Sequence, residues 1–288
     1  MGAKNQGGRT GRVPSPSPVL VLGCRGMLGS ACLRAFGMEA VGCDYSEFDV
    51  TDRAQVMDHI ARLRPGLIVN CAAATDVDRC EGDHDYADGA NARAPGYVAE
   101  AAATVAARLI HLSTDFVFDG RKGAPYRETD APRPVNYYGR SKLDGERAVS
   151  TALPEALIVR TSWLYGVGGV HFPGKVLDWA AGRAEIRVAA DQFGSPTYAA
   201  DLAEAIRVLA EKEAHGIFHL AGDGCASRFE LATETLALAG QKVRVVGVSA
   251  SEFPLPALRP PNTCLDCSKA AAEGVRLPAW RDGLARYL

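Results

Sequence analysis

The stretch "VLVLGCRGMLG", from Val19 to Gly29, decides which fold this sequence predicts. It begins with a continuous apolar run, typical of a strand buried on both faces, and Met27 then begins a helical pattern. Three glycines, Gly23, Gly26 and Gly29, occupy the connection and the start of the helix. Glycine allows a sharp turn there and lets a pyrophosphate approach the helix amino terminus, whose free amides favour anions. Packing turns also use glycine, so the position between first strand and first helix is what indicates a dinucleotide-binding unit.

Short apolar runs and longer helical patterns keep alternating through the first half of the chain. Further strands are predicted at Ala40 to Asp44, Gly66 to Asn70, Ala107 to Ser113 and Ala156 to Arg160. Helices are predicted from about Met27 to Phe36 and from about Arg53 to Leu63, and near Val98 and Leu143. Such alternation predicts right-handed strand–helix–strand units, and hence an α/β fold with a Rossmann-like doubly wound parallel sheet.

After about Arg160 the pattern loosens and predicts a smaller lobe. Its predicted elements are short strands and turns at Glu185 to Tyr198, a helix from about Asp201 to Lys212, a strand at Gly216 to Gly222, and a helix that begins with a Ser227–Glu230 capping box. We therefore expect a disordered tail at 1–18 and a mainly NAD(P)-binding Rossmann domain at 19–165. A mainly substrate-binding lobe is expected at 166–288, with some segments returning to the sheet.

The composition narrows the class of protein. The 288 residues are 47% hydrophobic and 23% charged, an ordinary globular balance, and the net charge is −2. This charge gives no footprint for nucleic acid or for an anionic membrane surface. No stretch approaches the roughly 18 consecutive apolar residues of a membrane helix, and residues 1–18 lack the apolar core of a signal peptide. We therefore expect a cytoplasmic protein with reduced cysteines, whose lone C-x-x-C, Cys264 to Cys267, binds no zinc.

"NYYGRSK", from Asn136 to Lys142, places two tyrosines ahead of a lysine. Tyr138 and Lys142 are four apart and share one face of a helix, whereas Tyr137 points elsewhere. A phenol beside an ammonium is a recognisable proton donor, because the cation favours phenolate and lowers the tyrosine pKa. Taken alone, the pattern is more often an interfacial tyrosine and a solvated lysine on an amphipathic helix. The choice between these two interpretations depends on the other motifs of the chain.

Two residues give opposite indications about the cofactor. Asp44 ends the second predicted strand, about twenty residues beyond Gly23, where an acid can hold the adenosine ribose hydroxyls, which favours NAD. Arg25, inside the glycine loop, can pair with a 2′-phosphate, which favours NADP. Asp49 lies either near the adenine or at a helix cap. The sequence leaves both NADPH and NADH open.

Other predicted strands end in residues suited to a binding site. Ser113 and Thr114 either donate a hydrogen bond to a substrate carbonyl or cap the strand end. "NCAA", Asn70 to Ala73, ends its strand in small residues that leave space for a flat ring or a ribose. Trp163 faces either the substrate or the apolar core. Because the carboxyl ends of parallel strands meet at one edge, these residues are expected to lie together.

In their order and spacing, these signals resemble the extended short-chain dehydrogenase/reductase superfamily, and within it the dTDP-4-dehydrorhamnose reductases. The resemblance is carried by "GCRGMLG", "NCAAATDVD", "STDFVFDG", "NYYGRSKLDGE", "RTSWLYG", "DQFGSPTYAADLA" and "RPPNTCLDCSK". It covers nearly everything from Val19 to Leu288. The glycines and Y-x-x-x-K are typical of the superfamily, whereas "STDFVFDG", "RTSW" and "GSPTYAADLA" in this order indicate the subfamily.

The resemblance implies roles for individual residues. The family's catalytic residues fall on Thr114, Tyr138 and Lys142. Tyr138 would protonate the sugar oxygen as hydride arrives at C4, Lys142 would bind the nicotinamide ribose and lower the Tyr138 pKa, and Thr114 would polarise the carbonyl. Expected cofactor contacts, counting the whole glycine loop, are Gly23, Arg25, Gly26, Met27, Leu28, Gly29, Asp44, Asp49, Val50, Ala73, Ala74, Tyr138 and Lys142. Expected substrate contacts are Val77, Thr114, Asp115 and Trp163.

Three positions depart from the family pattern. Ala74 stands where an aromatic residue or histidine is usual, Phe116 replaces a common tyrosine, and Arg228 sits where a tryptophan is usual. The acidic cluster that binds magnesium at a dimer interface in some members cannot be placed here. Neither that metal nor that dimer is predicted, and a homodimer is otherwise left open.

The resemblance implies a nucleotide-sugar substrate, with NAD(P)H-dependent reduction of the C4 keto group of dTDP-4-dehydro-L-rhamnose to dTDP-L-rhamnose. Another nucleotide-deoxysugar 4-ketoreductase is an alternative, because it reduces the same functional group. A non-catalytic NADP-binding regulatory subunit like that of methionine adenosyltransferase, or a nucleotide-sugar epimerase of the same superfamily, also remains open. Consumption of free cofactor with a keto sugar distinguishes a reductase from the last two.

Overall fold

The computed structural model describes residues 18–288, so the expected tail, apart from Pro18, lies outside the described residues. The strands are β1 Val19–Leu22, β2 Ala40–Cys43, β3 Leu67–Asn70, β4 Arg108–Thr114, β5 Leu157–Thr161, β6 Leu164–Tyr165, β7 Glu185–Ala189, β8 Phe193–Gly194, β9 Thr197–Tyr198, β10 Gly216–His219, β11 Ala226–Ser227 and β12 Arg244–Val248. The helices are α1 Met27–Phe36, α2 Arg53–Leu63, α3 Val77–Gly82, α4 His84–Ala87, α5 Ala94–Thr104, α6 Tyr137–Ala152, α7 Phe172–Ala180, α8 Ala199–Glu211, α9 Arg228–Leu238, α10 Ser268–Ala272 and α11 Trp280–Tyr287. A π-helical segment, Asp88–Arg93, joins α4 to α5.

Six parallel strands form the central sheet, in the order β10-β5-β4-β3-β1-β2. Val19 of β1 pairs with Ala40 on one side and with Leu67 on the other, so the first strand lies inside the sheet. The strand order reverses at β1, which makes its carboxyl end the topological switch point where ligands of such folds bind. The predicted α/β fold with a Rossmann-like doubly wound sheet is confirmed.

Helices cover both faces of this sheet, which explains why β1 is apolar throughout. Val19 and Val21 point into a core shared with α1 and α8, whereas Leu20 and Leu22 point into a core shared with α2 and α5. Successive side chains of a strand alternate between faces, so a strand covered on both sides needs an unbroken apolar run. Within residues 18–288, no helix combines the length and the apolar character needed to cross a bilayer.

The elements β7 to β9, β11, β12, α7, α9 and α11 form a smaller lobe. Its short strands pair as β12 with β7, β11 with β8, and β9 with β6 of the preceding segment. Helices α7 and α9 pack on β7 through a separate buried cluster that includes Val176, Ile186 and Leu236. The predicted capping box is present at the start of α9, where Ser227 and Glu230 satisfy each other's backbone amides. Strand β10 leaves this lobe and pairs with β5 at the edge of the central sheet.

One expectation about the cysteines is wrong. Cys225 and Cys264 form a disulfide, with Cα atoms 5.6 Å apart, although they are 39 residues apart in the sequence. Cys225 directly precedes β11, which pairs with β8, and the segment before Cys264 forms a bridge from Asn262 to Phe193 of the same strand. The two cysteines therefore meet through a shared neighbour that their spacing cannot reveal. Cys267, the other residue of the C-x-x-C, is free.

A buried ion pair fixes the long helix α6 to the sheet. Glu146 accepts hydrogen bonds from Arg160 Nε at 2.8 Å and from Arg160 Nη2 at 2.6 Å, and also from the Ser113 hydroxyl. Glu146 lies on α6, Ser113 on β4 and Arg160 on β5, and the Arg160 and Glu146 side chains are only 2% and 4% exposed. One carboxylate thus ties three elements together beneath the cleft described below.

We expect Glu146→Ala to lower the free energy of unfolding by about 3–5 kcal/mol, because it leaves the Arg160 guanidinium buried without its partner. The matched control is Asp144→Ala on the same helix, which removes an exposed pair with Arg147 and should cost less than about 1 kcal/mol. Urea unfolding followed by circular dichroism measures both values. Equal losses in the two variants would contradict the structural role of the buried pair.

Candidate active site

A cleft of about 1020 Å³ lies at the carboxyl ends of the central strands. All of the expected catalytic, cofactor and substrate contacts line it: Gly23, Arg25, Gly26, Met27, Leu28, Gly29, Asp44, Asp49, Val50, Ala73, Ala74, Val77, Thr114, Asp115, Tyr138, Lys142 and Trp163. The fold therefore brings together side chains that are up to 140 residues apart in the chain, Gly23 to Trp163. Their individual roles remain predictions.

The glycine loop is shaped by two close approaches of the backbone. Gly23 has a φ of 71°, and a Cβ there would lie 2.8 Å from the Ala72 backbone nitrogen. A Cβ on Gly29 would lie 2.1 Å from the carbonyl oxygen of Gly23. Gly26 is the N-cap of α1 and contributes no side chain to the helix terminus. A bare helix amino terminus thus opens onto the cleft, a cradle that fits the pyrophosphate of a dinucleotide.

Asp44 and Arg25 both lie at this end of the cleft, but each is already engaged. Asp44 accepts hydrogen bonds from the backbone amides of Arg25 at 3.0 Å and Tyr45 at 2.8 Å. The Arg25 guanidinium pairs with Glu47 at 3.0 Å. Glu47 was not singled out from the sequence, and it neutralises the cation that would favour a 2′-phosphate. The carboxylate at the end of β2 is therefore rigidly placed, whereas the arginine is shared with an acid.

Asp49 lines the cleft and does not cap a helix. Its carboxylate accepts from the amide and the hydroxyl of Thr51, both at 2.8 Å. The N-cap of α2 is Asp52, which accepts from the amides of Ala54 and Gln55. Of the two positions that the sequence left open for Asp49, the structure excludes the cap.

The first turn of α6 is positioned by tight contacts. Asn136 is its N-cap and accepts from the Gly139 amide at 2.8 Å. A Cβ on Gly139 would lie 2.1 Å from the carbonyl oxygen of Phe116, so only glycine lets the helix pack this closely on the segment that follows β4. Tyr138 lines the cleft, whereas Tyr137 points away, donates to Asp88 at 2.8 Å and stacks on His84. The predicted choice of helix face is confirmed.

Lys142 lies on the same face of α6 as Tyr138. Its ammonium group donates to the Leu112 carbonyl at 2.6 Å, and the side chain is 2% exposed. Burial lowers the pKa of Lys142 to about 8, while Glu146 and Cys71 act in the opposite direction. The ammonium is therefore anchored at the end of β4 and titrates closer to neutrality than an ordinary lysine.

The pKa of Tyr138 differs from the expectation. Burial raises this pKa above its ordinary value, the Thr114 hydroxyl opposes the rise, and Asp115 and Cys80 add to it. Desolvation of the phenol dominates this shift, and the Lys142 ammonium is directed at Leu112, so the lowering of the Tyr138 pKa by Lys142 remains a prediction. A tyrosine is protonated near neutral pH even at its ordinary pKa, and the rise keeps Tyr138 in that state, which a proton donor requires.

Thr114 and Asp115 form a buried polar cluster beneath the cleft. Asp115 accepts from the hydroxyls of Thr114 at 3.0 Å, Ser162 at 2.8 Å and Thr263 at 2.5 Å. Burial raises the pKa of Asp115, and these three hydroxyls oppose the rise. Ser113 donates to Glu146 instead. Of the two hydroxyl residues at the end of β4, Ser113 is thus committed to the ion pair and Thr114 is the one next to Tyr138.

Trp163 connects the central sheet to the smaller lobe. It has a φ of 43°, a left-handed conformation that is uncommon for a bulky residue and recurs at functional sites. A Cβ on Gly194 would lie 2.4 Å from its indole ring, so the ring rests directly on the β8 backbone. It also packs on the buried cluster around Tyr165 while lining the cleft. The ring therefore lines the cleft and also packs against the core, and its contact with the substrate remains a prediction.

Two residues that support the site could not be recognised as site residues from any sequence motif. Asn91, fully buried in the π-helical segment, holds Ala74 through its amide and its carbonyl, both at 2.9 Å, and donates to Ser141 of α6 at 3.2 Å. It therefore sets the distance between the end of β3 and the helix that bears Tyr138. Arg228 also lines the cleft, where the sequence had marked it only as a departure from the family. An asparagine in a helical stretch gives no signal of such a role, because the contacts it makes are distant in sequence.

Comparison with known proteins identifies the family. The model of the family described as RmlD substrate binding domain matches residues 17–288. A dTDP-4-dehydrorhamnose reductase of Mycobacterium tuberculosis (strain H37Rv) is 41% identical over 281 residues, which cover 94% of this chain and 92% of the relative. A probable dTDP-4,6-dihydroxy-2-methyloxan-3-one 4-ketoreductase of Streptomyces antibioticus is 39% identical over 274 residues, which cover 92% of each chain.

A solved structure agrees with these relatives. The crystal structure of dTDP-4-dehydrorhamnose reductase from Bacillus anthracis in complex with NADP is 36% identical, covers 95% of this chain and 99% of its own, and has a TM-score of 0.92. The chain belongs to the RmlD substrate binding domain family, and the resemblance inferred from its motifs is confirmed.

We expect Gly139→Ala to lower the free energy of unfolding by about 1–3 kcal/mol, because the new Cβ meets the backbone of Phe116 and not a flexible side chain. Gly82→Ala is the control: it lies at the end of helix α3, where nothing lies within 4 Å of the added Cβ. That variant should be unchanged or slightly more stable. Denaturant unfolding of both proteins measures the difference, and similar stabilities would refute the proposed close contact.

Proposed function

We propose that this member of the family reduces the C4 keto group of dTDP-4-dehydro-L-rhamnose to dTDP-L-rhamnose, with NADPH or NADH as the reductant. One observation carries the proposal: Thr114, Tyr138 and Lys142 line the same cleft as a bare glycine loop at the switch point of the sheet. The loop leaves room for the pyrophosphate of a dinucleotide. The three side chains are of the types that bind and protonate a carbonyl group. The relatives named dTDP-4-dehydrorhamnose reductase, and the NADP-bound structure among them, support this substrate and this cofactor class.

The chain's own residues supply the proton chemistry. A bound nicotinamide supplies the hydride that is added to C4. Tyr138, which is protonated near neutral pH as an ordinary tyrosine is, would donate its proton to the sugar oxygen. The Thr114 hydroxyl now donates to Asp115, so it must rotate to reach a substrate carbonyl. Lys142, held on Leu112 O, is placed to bind the nicotinamide ribose.

The same proposal assigns a different role to each of the two main parts of the chain. Residues 19–165 would hold the cofactor, and residues 166–288 would close the cleft over the sugar and contribute β10 to the sheet. The expected setting of such a biosynthetic reductase is the cytoplasm, and a homodimer is compatible with it.

A second candidate is the reduction of another nucleotide-linked deoxysugar at the same carbon. It is favoured by the Streptomyces relative, whose name specifies a different 4-keto substrate and whose identity to this chain is 39%. The substitution of Phe116 for a tyrosine, which places an edge-on ring 5.7 Å from Tyr138, would bear on this choice. A non-catalytic subunit or an epimerase would bind cofactor without consuming it.

The decisive assay mixes the purified chain with NADPH, or with NADH, and enzymatically prepared dTDP-4-dehydro-L-rhamnose, and follows the absorbance of the reduced nicotinamide. Sugar-dependent loss of absorbance is the expected result. Cofactor binding without loss of absorbance with this sugar would refute the proposed substrate. The same assay with other 4-keto deoxysugars then tests the second candidate.

We expect Tyr138→Phe to reduce kcat by about 100-fold or more, because a general acid typically contributes at least that factor. Cofactor affinity, measured by fluorescence titration with NADPH, should remain within about threefold, since only a hydroxyl is removed. Tyr137→Phe is the control and should keep near-normal turnover, because its hydroxyl bonds to Asp88 outside the cleft. The reverse pattern would show that Tyr137 is the acid.

We expect Glu47→Gln to raise the ratio of kcat/KM for NADPH to kcat/KM for NADH. The change releases the Arg25 guanidinium for a 2′-phosphate while Asp44 keeps its place, and the gain should reach about fivefold, as for an exposed ion pair. Asp58→Asn is the control, because it removes the same charge from an exposed pair with Arg62 on α2. An equal shift in both variants would indicate a general charge effect and contradict the specific one.

A further inference from the structure

Arg228 occupies a fixed position on the substrate side of the cleft. It is the first residue of α9, and its backbone amide donates to the Gln192 carbonyl at 3.0 Å, next to the pairing of β11 with β8. Its guanidinium carbon lies 3.6 Å from the ring centroid of Trp163 and 4.6 Å from that of Phe172. Stacking on aromatic rings holds a guanidinium plane in place without using its hydrogen-bond donors. The N–H groups of Arg228 thus remain available at the cleft.

Among residues 18–288, the charge of Arg228 has no direct partner. No carboxylate within residues 18–288 forms an ion pair with it, and Asp115, the nearby acid that bears on its charge, is occupied by three hydroxyl groups. Burial lowers the pKa of Arg228 to about 9, Asp115 acts in the opposite direction, and the positive charge of Arg259 lowers it further. A partly desolvated guanidinium beside a second cation is stabilised by an anion.

The neighbouring Arg259 differs from Arg228 because its charge is paired. Its guanidinium is bound by both oxygens of Asp78, at 2.6 Å and 2.8 Å, in a bidentate pair, and it also donates to the Ala257 carbonyl. The charge of Arg259 is therefore neutralised within the protein. Of these two neighbouring arginines, Arg228 alone lines the cleft with its donors uncommitted.

The proposed substrate would supply that charge at a suitable place. In a nucleotide-linked 4-keto sugar the diphosphate is attached to the anomeric carbon, across the pyranose ring from C4. Its phosphate must therefore lie about one sugar ring away from the hydroxyls of Thr114 and Tyr138. Arg228 lines the same cleft as Thr114 and Tyr138, and it stacks on Trp163, which lines the cleft as well. The sugar ring would then lie between the two hydroxyls and Arg228.

We propose that Arg228 binds the diphosphate of the nucleotide sugar, through its free N–H groups, while Trp163 and Phe172 hold its guanidinium plane. The inference rests on the proposed function for the nature of the ligand. Guanidinium and phosphate match in bidentate geometry, so the contact would set both affinity and the orientation of the sugar. Arg228 would be a substrate-binding residue and would take no part in proton or hydride transfer.

The test uses the full chain and two probes that differ only in phosphate, dTDP and thymidine. Calorimetric titration of Arg228→Gln should show dTDP affinity reduced by roughly 10- to 100-fold, the contribution of charge-assisted hydrogen bonds. Thymidine and NADPH affinities should stay near those of the wild type. With the keto sugar, KM should rise by a similar factor while kcat falls much less, a split that a merely structural defect would not produce.

Two further variants keep the test decisive. Arg281→Gln is the matched control, because its guanidinium also lies over a tryptophan, 4.3 Å from the Trp280 ring, and pairs with Glu234, but it does not line the cleft. It should leave dTDP affinity unchanged. Arg228→Lys keeps the positive charge on a flexible stem and should bind dTDP with intermediate affinity, which provides a readout even if Arg228→Gln folds poorly.

Several outcomes would overturn the proposal. They are unchanged dTDP affinity in Arg228→Gln or Arg228→Lys, an equal loss of thymidine affinity, an equal loss in Arg281→Gln, or a wild-type chain that does not bind dTDP. The proposed function fails by a different observation. A wild-type chain that binds dTDP through Arg228 but consumes no cofactor with the keto sugar would contradict the reductase and leave the diphosphate site standing.

Discussion

The Glu146 carboxylate is the interaction on which the site depends. It is buried between α6, β4 and β5, and it binds the Arg160 guanidinium and the Ser113 hydroxyl at once. Each of these partners would be costly to bury alone, and together they fix the register between the helix that bears Tyr138 and the strand that ends in Thr114. Lys142, one turn before Glu146, then reaches the Leu112 carbonyl of the same strand. This buried network, together with the Gly139 contact, holds the three proposed catalytic side chains in their relative positions.

Close backbone contacts complete the shape of the cleft. At Gly29, Gly139 and Gly194 a Cβ would lie 2.1 to 2.4 Å from a neighbouring atom, so each glycine marks a place where two segments touch. The first contact opens the helix terminus of α1, the second places Tyr138, and the third seats the Trp163 ring. These contacts have different partners, but all of them bring backbone to the rim or wall of one cavity. A side chain at any of them would move a wall of the cleft.

Charge is distributed unevenly between the two ends of the cleft. At the cofactor end Arg25 is balanced by Glu47 next to Asp44, so the protein offers an acid and a neutralised cation there. At the other end Arg228 has no ion-pair partner within residues 18–288, whereas its neighbour Arg259, which does not line the cleft, is paired with Asp78. A neutral or hydroxyl-bearing group suits the first position and an anion suits the second. The two ends of the cleft therefore differ in charge, and this difference would orient a bound ligand where the shape of the cleft alone would not.

The sequence by itself determined the architecture, because local patterns encode it. Continuous apolar runs such as Val19–Leu22 report burial on both faces, the period of α6 placed Tyr138 with Lys142 and turned Tyr137 away, and the glycine triplet marked the switch point. Only the tertiary structure decided the contacts that join distant segments. Folding brings together the neighbours that produce four features: the Cys225–Cys264 disulfide, the hydrogen bonds of Asn91 to Ala74, the ion pair of Arg25 with Glu47, and the raised pKa of Tyr138. Periodicity reports which face of an element is buried, whereas partners and desolvation depend on what packs against that face.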